Sequence, residues 1–181
     1  NVVIITGEKI DRTLQDTTTS TSVFLAEDID KGRDRNIYDI MDRASNVLAA
    51  PSGVPHIRGM KGSGPAEGGA TYVSGGRPRV STSIDGVTDS WTGVMFAKPR
   101  IWDIEQIEIL KGSQSTTQGR NTIGGAIVVK TKDPTYEQES AIRIGYENND
   151  NKYHYALMTS GGIIDDELAF RIAADGSNGN S

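Results

Sequence analysis

The chain has 181 residues, a formal net charge of −5 and no cysteine, so it can bury one good core and a small second element. The acidic balance, with a pI near 5.0, excludes the footprint of a nucleic-acid binder; the missing thiols exclude a disulfide framework and a thiolate metal site. Apolar residues make up 35% of the chain against 21 glycines, a balance that suits a loop-rich mixed α/β or β domain and not a helical bundle.

No run approaches the ~18 apolar residues of a membrane-spanning helix. The chain opens at Asn1 with neither a basic nor an apolar leader region, so it reads as one whose signal peptide has been removed. It ends in DGSNGNS directly after a strand-like stretch, which reads as a fragment.

Val2-Val3-Ile4-Ile5-Thr6 is a β-favouring pentapeptide on the polar stretch GEKIDRTLQDT. Two readings fit it. One is an edge strand of its own domain; the other is a strand donated to another protein's sheet edge, where backbone hydrogen bonds supply affinity. Residues 17–26 (TTTSTSVFLA) read as a strand, with Asp28 or Asp30 capping a turn. Asn36 is a candidate N-cap for a helix over 37–44, in which Ile37, Ile40, Met41 and Ala44 form one apolar stripe and hence core.

His56-Ile57-Arg58-Gly59-Met60 is short and strand-like. Residues 61–76 (KGSGPAEGGATYVSGG) cannot be regular and read as an exposed loop or pair of turns. Their spacing is not that of a phosphate-cradling loop. Arg79–Val87 reads as a strand ending in an Asp85-Gly86 turn. A second loop over 88–98 carries Trp91, Met95 and Phe96, which either pack back onto their own domain or meet a ligand. Residues 99–103 (PRIWD) predict a short helical turn.

Residues 104–134 (IEQIEILKGSQSTTQGRNTIGGAIVVKTKDP) run strand, glycine turn, polar connection, glycine pair, strand, with Gly112, Gly119, Gly124 and Gly125 at the turns. After Pro134 the pattern changes to alternation. Ile142, Ile144 and Tyr146 lead one strand; Tyr153, Tyr155 and Leu157 the next; Leu168, Phe170 and Ile172 a third. Outer-membrane barrel strands look like this, and so does a soluble meander with one buried face. The aromatic positions favour a lipid-facing girdle.

Catalytic and metal chemistry finds no footing. His56 and His154 lie in unrelated strands without a second ligand at metal spacing, and no G-x-S-x-G elbow positions a serine. Glu105 and Glu108 are three apart on a strand, a poor acid/base pair. The carboxylate-rich turns at 148–151 and 165–167 lack EF-hand spacing. The reading is therefore of a non-enzyme with no cofactor and no metal.

The segments Val2–Thr6, HIRGM, VSTSIDGV, IEQIEILKGSQS and QGRNTIGGAIVVKTKDP, followed by the alternating strands, resemble in their order the plug and first barrel strands of TonB-dependent outer-membrane receptors of the siderophore-receptor kind. Two departures stand out: Ser113 where that family usually has proline, and Gln118 where tyrosine is common. The resemblance implies an α+β fold, a plug with a small mixed β-sheet, short helices and long glycine-rich loops, followed by antiparallel transmembrane β-barrel-type strands of a truncated barrel. It divides the chain into a flexible segment with the TonB box (1–16), the plug (17–134) and the incomplete barrel (139–175).

The function implied by the resemblance is that of a plug gating energy-coupled uptake of a scarce nutrient, a ferric siderophore foremost, across the outer membrane of a Gram-negative bacterium. Its N-terminus would face the periplasm. The alternative is a soluble periplasmic interaction or signalling module without transport. By resemblance, Val2, Val3, Ile4, Ile5 and Thr6 bind the C-terminal domain of TonB. Glu67, Tyr72, Arg77, Trp91, Met95 and Phe96 lie on ligand-facing loops. Arg58, Lys111 and Arg120 are candidate latches to the protein's own β-barrel, Arg120 being equally readable as solvated surface charge. The remaining partners implied are the small-molecule ligand and outer-membrane lipid, and no nucleic acid.

Overall fold

The computed structural model describes residues 4–8, 12–31, 36–50, 54–64, 75–89, 101–148, 151–164 and 167–179. They fall into two units, Asn1–Thr131 and Lys132–Ser181.

The first unit opens with the short antiparallel pair β1 (Ile4–Ile5) and β2 (Arg12–Thr13). β3 (Ser20–Leu25) runs directly into a helix, α1 (Ala26–Lys31). Asp28 and Asp30 therefore lie inside a helix where the sequence suggests a turn. The Asp28 carboxylate accepts from the Leu25 N–H at 3.3 Å, which satisfies one donor at the helix start.

α2 (Ile37–Met41) begins where Asn36 predicts. The Asn36 side chain accepts from the Tyr38 and Asp39 N–H groups at 2.9 and 3.2 Å, and Asp39 accepts from the Asn36 N–H at 3.2 Å. This closed capping box fixes the helix start. The helix stops at Met41, short of the predicted Ala44, because its end tightens into bonds from Arg43 to Ile40 and from Ala44 to Met41, both 3.0 Å. The stripe still works: Ile37, Ile40, Met41 and Ala44 are all buried.

β4 (Val47–Leu48) pairs with β5 (His56–Ile57). The predicted strand His56–Met60 is in fact mostly a turn. Arg58 and Gly59 have φ of 52° and 77°, and Ile57 and Met60 exchange backbone hydrogen bonds of 3.1 and 2.9 Å across them. Composition predicts an exposed glycine-rich loop, yet Gly62, Ser63 and Gly64 are buried. Backbone stacking is the reason: Arg79 N–H donates to Gly62 O at 2.6 Å and Gly124 N–H to Arg79 O at 2.7 Å.

The strand expected over residues 79–87 is β6 (Val80–Ile84); the Asp85-Gly86 turn stands where predicted, with φ of 48° and 80°, and the chain returns from it as a short strand, β7 (Val87–Thr88), in which Thr88 stands where the sequence suggests a loop. Of the helical turn expected over 99–103, residues 99 and 100 lie outside the described residues, and Trp102 and Asp103 make a bend in its place, with Asp103 at φ 59°. β8 (Ile104–Lys111) and β9 (Gly125–Thr131) complete a five-stranded mixed sheet in the order β3-β8-β9-β6-β7, in which only β6 and β9 run parallel.

The central pair β8–β9 is covered on both faces. Ile107, Ile109, Ile127 and Val129 pack with Ile37, Ile40, Met41 and Ile57. On the other face Leu110, Ala126 and Val128 pack with Ile5 of the N-terminal segment. Burial of each such large side chain stabilises by about 1.5–3 kcal/mol.

The second unit is an antiparallel meander of β10 (Glu139–Glu147), β11 (Lys152–Ile164) and β12 (Leu168–Gly179). Its register sets Ile142 beside Leu157 and Ala174, Ile144 beside Tyr155 and Gly176, and Tyr146 beside Tyr153 and Asn178. These positions form one face, and within the unit that face is open: Ile142 and Ile144 are each 79% exposed. The alternate positions are mixed: Ala141, Met158 and Ala173 share the face with charged pairs, Glu147 3.3 Å from His154 and Glu139 3.4 Å from Arg171.

Candidate functional site

The N-terminal segment, which its sequence presents as a tether, is seated on the five-stranded sheet over residues 4–8. Ile5 is fully buried while Ile4 is 48% exposed, as expected of a strand with one face down. Beneath it lies Glu108, a carboxylate with no exposed surface in the middle of β8. Its oxygens accept from the Thr6 N–H and Thr6 Oγ1, each at 2.8 Å, and from the Gly7 N–H at 2.9 Å. Gln106 Nε2 reaches both Glu108, at 2.8 Å, and the Ile4 carbonyl, at 3.2 Å. Gln118 Nε2 donates to the Gly7 carbonyl. A buried carboxylate is tolerated only where such donors converge.

Two of the residues read as latches stand together at the end of β8. Lys111 is 6% exposed and its Nζ donates to Ser45 Oγ at 3.2 Å. Burial, and then the charge of Arg58, push the Lys111 ammonium below its ordinary pKa of 10.5. Arg58 sits on the exposed Arg58-Gly59 turn. Among the described residues neither cation pairs with a carboxylate. Arg120 is exposed on the connection between β8 and β9 and is not part of this pair.

Of the residues read as ligand-facing, Glu67, Tyr72, Trp91, Met95 and Phe96 lie outside the described residues, as do Val2 and Val3 of the N-terminal strand. Arg77 is exposed. The flanks of the two loops share one end of the sheet: Arg79 is bonded to Gly62 and Gly124, and β7 runs antiparallel to β6 toward that end, with the Asp89 N–H on Thr82 O at 2.8 Å. Glu105 and Glu108 do not converge. A register shift after Ile104 lets Glu105 pair with Lys130 at 2.7 Å.

Residues 13–126, more than half the chain, match the family model of the TonB-dependent Receptor Plug Domain. The chain belongs to that family. Among curated proteins this plug chain is similar to the vitamin B12 transporter BtuB of Vibrio vulnificus (strain CMCP6), 22% identical over 148 residues that are 80% of the chain and 23% of the transporter. Among solved structures it resembles FpvA of Pseudomonas aeruginosa bound to heterologous pyoverdine, with a TM-score of 0.78, 19% identity, and coverage of 98% of this chain and 22% of FpvA. It also resembles the ferric yersiniabactin uptake receptor FyuA of Yersinia pestis, with a TM-score of 0.70, 22% identity, and coverage of 86% and 23%. The plug chain thus spans about a quarter of the length of these relatives, and the structural likenesses show a common fold.

Sequence reading misses Glu108 and Gln106 as the seat of the N-terminal strand. The one local signal is a carboxylate inside an otherwise apolar run, Ile107-Glu108-Ile109-Leu110, a position that demands buried donors. Nothing local in the sequence says that those donors come from residues about a hundred positions away.

Proposed function

We propose that the chain is the plug region, with the first barrel strands, of an outer-membrane transporter that gates energy-coupled uptake of a ferric siderophore. The observation that carries this reading is the match of a plug family across residues 13–126, continued by a sheet whose apolar face is open. A sheet with Ile, Tyr and Leu on one face and Arg, Glu, His and Ser among small residues on the other suits lipid on one side and a barrel interior on the other. A soluble signalling module would expose the polar face and bury the apolar one. The siderophore receptors among the structural likenesses supply the ligand class, and BtuB supplies its competitor, a cobalamin.

In this reading residues 2–6 form the strand that the C-terminal domain of TonB takes up by strand addition, from the periplasmic side. The described flanks of the stretches 61–76 and 88–98 share one end of the five-stranded sheet, and in this reading Glu67, Tyr72, Trp91, Met95 and Phe96, with Arg77 just beyond the first stretch, are the residues that meet the ligand. Lys111 and Arg58, two neighbouring cations without a carboxylate partner among the described residues, are matched by acidic groups of the barrel wall. A charge pair of that kind works as a latch, since breaking one partner costs about 3–5 kcal/mol. Arg120, exposed on its connection, has the weaker claim to that role.

The test is uptake by the complete receptor from a panel of ferric siderophores and cyanocobalamin, in cells with and without TonB. TonB-dependent accumulation of one ferric siderophore supports the reading. Accumulation of cobalamin alone would replace the ligand class, and no TonB-dependent uptake of anything in the panel would overturn the proposal.

A further inference from the structure

The second unit begins at Lys132, and its first strand, β10, begins at Glu139. The segment between them has no regular structure, yet it is held against the mixed face of the meander, along the row Glu139, Ser160 and Arg171. Ser160 has no exposed surface. Its hydroxyl accepts from the Thr135 N–H at 3.0 Å and donates to the Phe170 carbonyl at 2.9 Å, so one side chain of β11 joins the segment to β12. The Gly162 N–H donates to the Tyr136 carbonyl at 3.0 Å, and Gln138 Nε2 to Thr159 Oγ1 at 3.2 Å. Arg171, its side chain 7% exposed, reaches the Asp133 carbonyl at 3.5 Å and the Glu139 carboxylate at 3.4 Å, and so spans the segment from end to end. The glycine pair of β11 makes room for it. A Cβ on Gly162 would stand 3.2 Å from the Tyr136 carbonyl oxygen, and one on Gly161 2.6 Å from Gln138 Oε1.

A pull passed along the chain from its N-terminal side enters the second unit at Lys132 and meets these bonds before it reaches β10. Asp133, Thr135 and Tyr136 are each held by a different residue of β11 or β12, so loss of one bond leaves the others in place. We infer that residues 133–138 are a strap clamped to β11 and β12 and form the fixed end of the plug. Movement of the plug during transport stops at Asp133, and the slack it needs is drawn from residues ahead of the strap. The role in transport rests on the reading of the chain as a plug drawn from its N-terminal side; the clamp itself does not.

Hydrogen exchange on the 181-residue chain reads the clamp. The Thr135 and Gly162 amides should be protected in the wild type. Ser160→Ala removes the acceptor of the Thr135 N–H, and should speed exchange of that amide about tenfold or more while the amides paired between β10 and β11 stay unchanged. Wild-type Thr135 and Gly162 amides that exchange freely overturn the clamp. Should Ser160→Ala loosen the β10–β11 pairing as well, the wild-type amides and the locks below decide.

Locking the strap in the complete receptor reads its role. Thr135 Oγ1 lies 3.2 Å from Ser160 Oγ, and a Cβ on Gly162 would lie 3.7 Å from the Tyr136 Cα, both within reach of a disulfide. The chain supplies no other thiol. One lock is Thr135→Cys with Ser160→Cys; the other, Tyr136→Cys with Gly162→Cys, keeps Thr135 and Ser160. TonB-dependent accumulation of ferric siderophores and cyanocobalamin is measured in each, oxidised and reduced. Both oxidised receptors should accumulate what the unsubstituted receptor accumulates, at the same rate before and after reduction. Uptake that is lost on oxidation and restored by reduction shows that the strap must open, and overturns the inference, as do two cysteine pairs that fail to join. Loss that reduction does not restore in one pair leaves the decision to the other; the same loss in both shows the strap to be more than a fixed end and overturns it too. An unsubstituted receptor that accumulates nothing overturns the transport reading, and the amides then report the clamp alone.

Discussion

Replacing Lys111 by methionine tests the cation pair in two directions. Lys111 is 6% exposed, its ammonium donates to Ser45 Oγ at 3.2 Å, and the charge acting on it is the like charge of Arg58. A buried ammonium held in this way opposes folding, and exchange of buried charge for an apolar side chain of similar volume stabilises by about 1–4 kcal/mol where the charge is poorly compensated. For the isolated chain we expect Lys111→Met to gain about 1–2 kcal/mol at pH 7, which at a urea slope of about 2 kcal/mol/M raises the midpoint by roughly 0.5–1 M. The pH dependence comes from the direction of the shift. The folded chain sheds the Lys111 proton below 10.5, so between the lowered value and 10.5 the unfolded state binds more protons and wild-type stability rises with pH. The advantage of Lys111→Met is therefore full below that window and shrinks across it. In the complete receptor the proposed latch predicts the opposite sign, because a barrel carboxylate paired with residue 111 would then be left unpaired at a cost of about 3–5 kcal/mol. A urea midpoint for Lys111→Met below that of the wild-type chain at pH 7 would show that the buried ammonium does not oppose folding. A gap that stays constant up to pH 10.5 would show the same of its titration.

Three further outcomes are expected from the same geometry. Tyr38 is pushed up to about 12 by burial and then by Asp89, so its stabilising contribution is present below pH 10 and lost as pH rises toward 12; Tyr38→Phe should flatten the alkaline fall of the denaturation midpoint. Asp85 accepts from the Thr131 N–H at 2.9 Å and Thr131 Oγ1 at 2.8 Å and itself adopts φ 48°, so Asp85→Ala should cost about 1–2 kcal/mol, read as a thermal midpoint lower by roughly 3–8 °C. Ile144, 79% exposed on the apolar face, should tolerate Ile144→Arg in water within about 0.5 kcal/mol. The same change in the complete receptor in lipid should cost about 2–4 kcal/mol.

Where local chemistry decides structure, the sequence can be read directly. Asn36 marks the start of α2, Asp85-Gly86 a turn, and the alternation after Pro134 strands whose register separates an apolar from a mixed face. Long-range relations are not legible. α1 hides in an acidic stretch without a strong apolar period, since Ile29 is its one buried residue. Arg58-Gly59 looks extended by composition, but Ile57 and Met60 close a turn around it. The N-terminal pentapeptide advertises a strand, whereas its seat is a carboxylate in another strand, and a buried charge is understood only when its donors are known. Gln118 can be marked from the family pattern as a departure, and its contact with Gly7 gives that departure a physical role.

The plug reading is put at greatest risk by calorimetric titration of the purified C-terminal domain of TonB against the 181-residue chain, with and without Val2–Thr6. The chain that carries the segment should bind, and its removal should abolish that binding. Equal binding by both would contradict the assignment of residues 2–6 as the strand through which the plug is pulled.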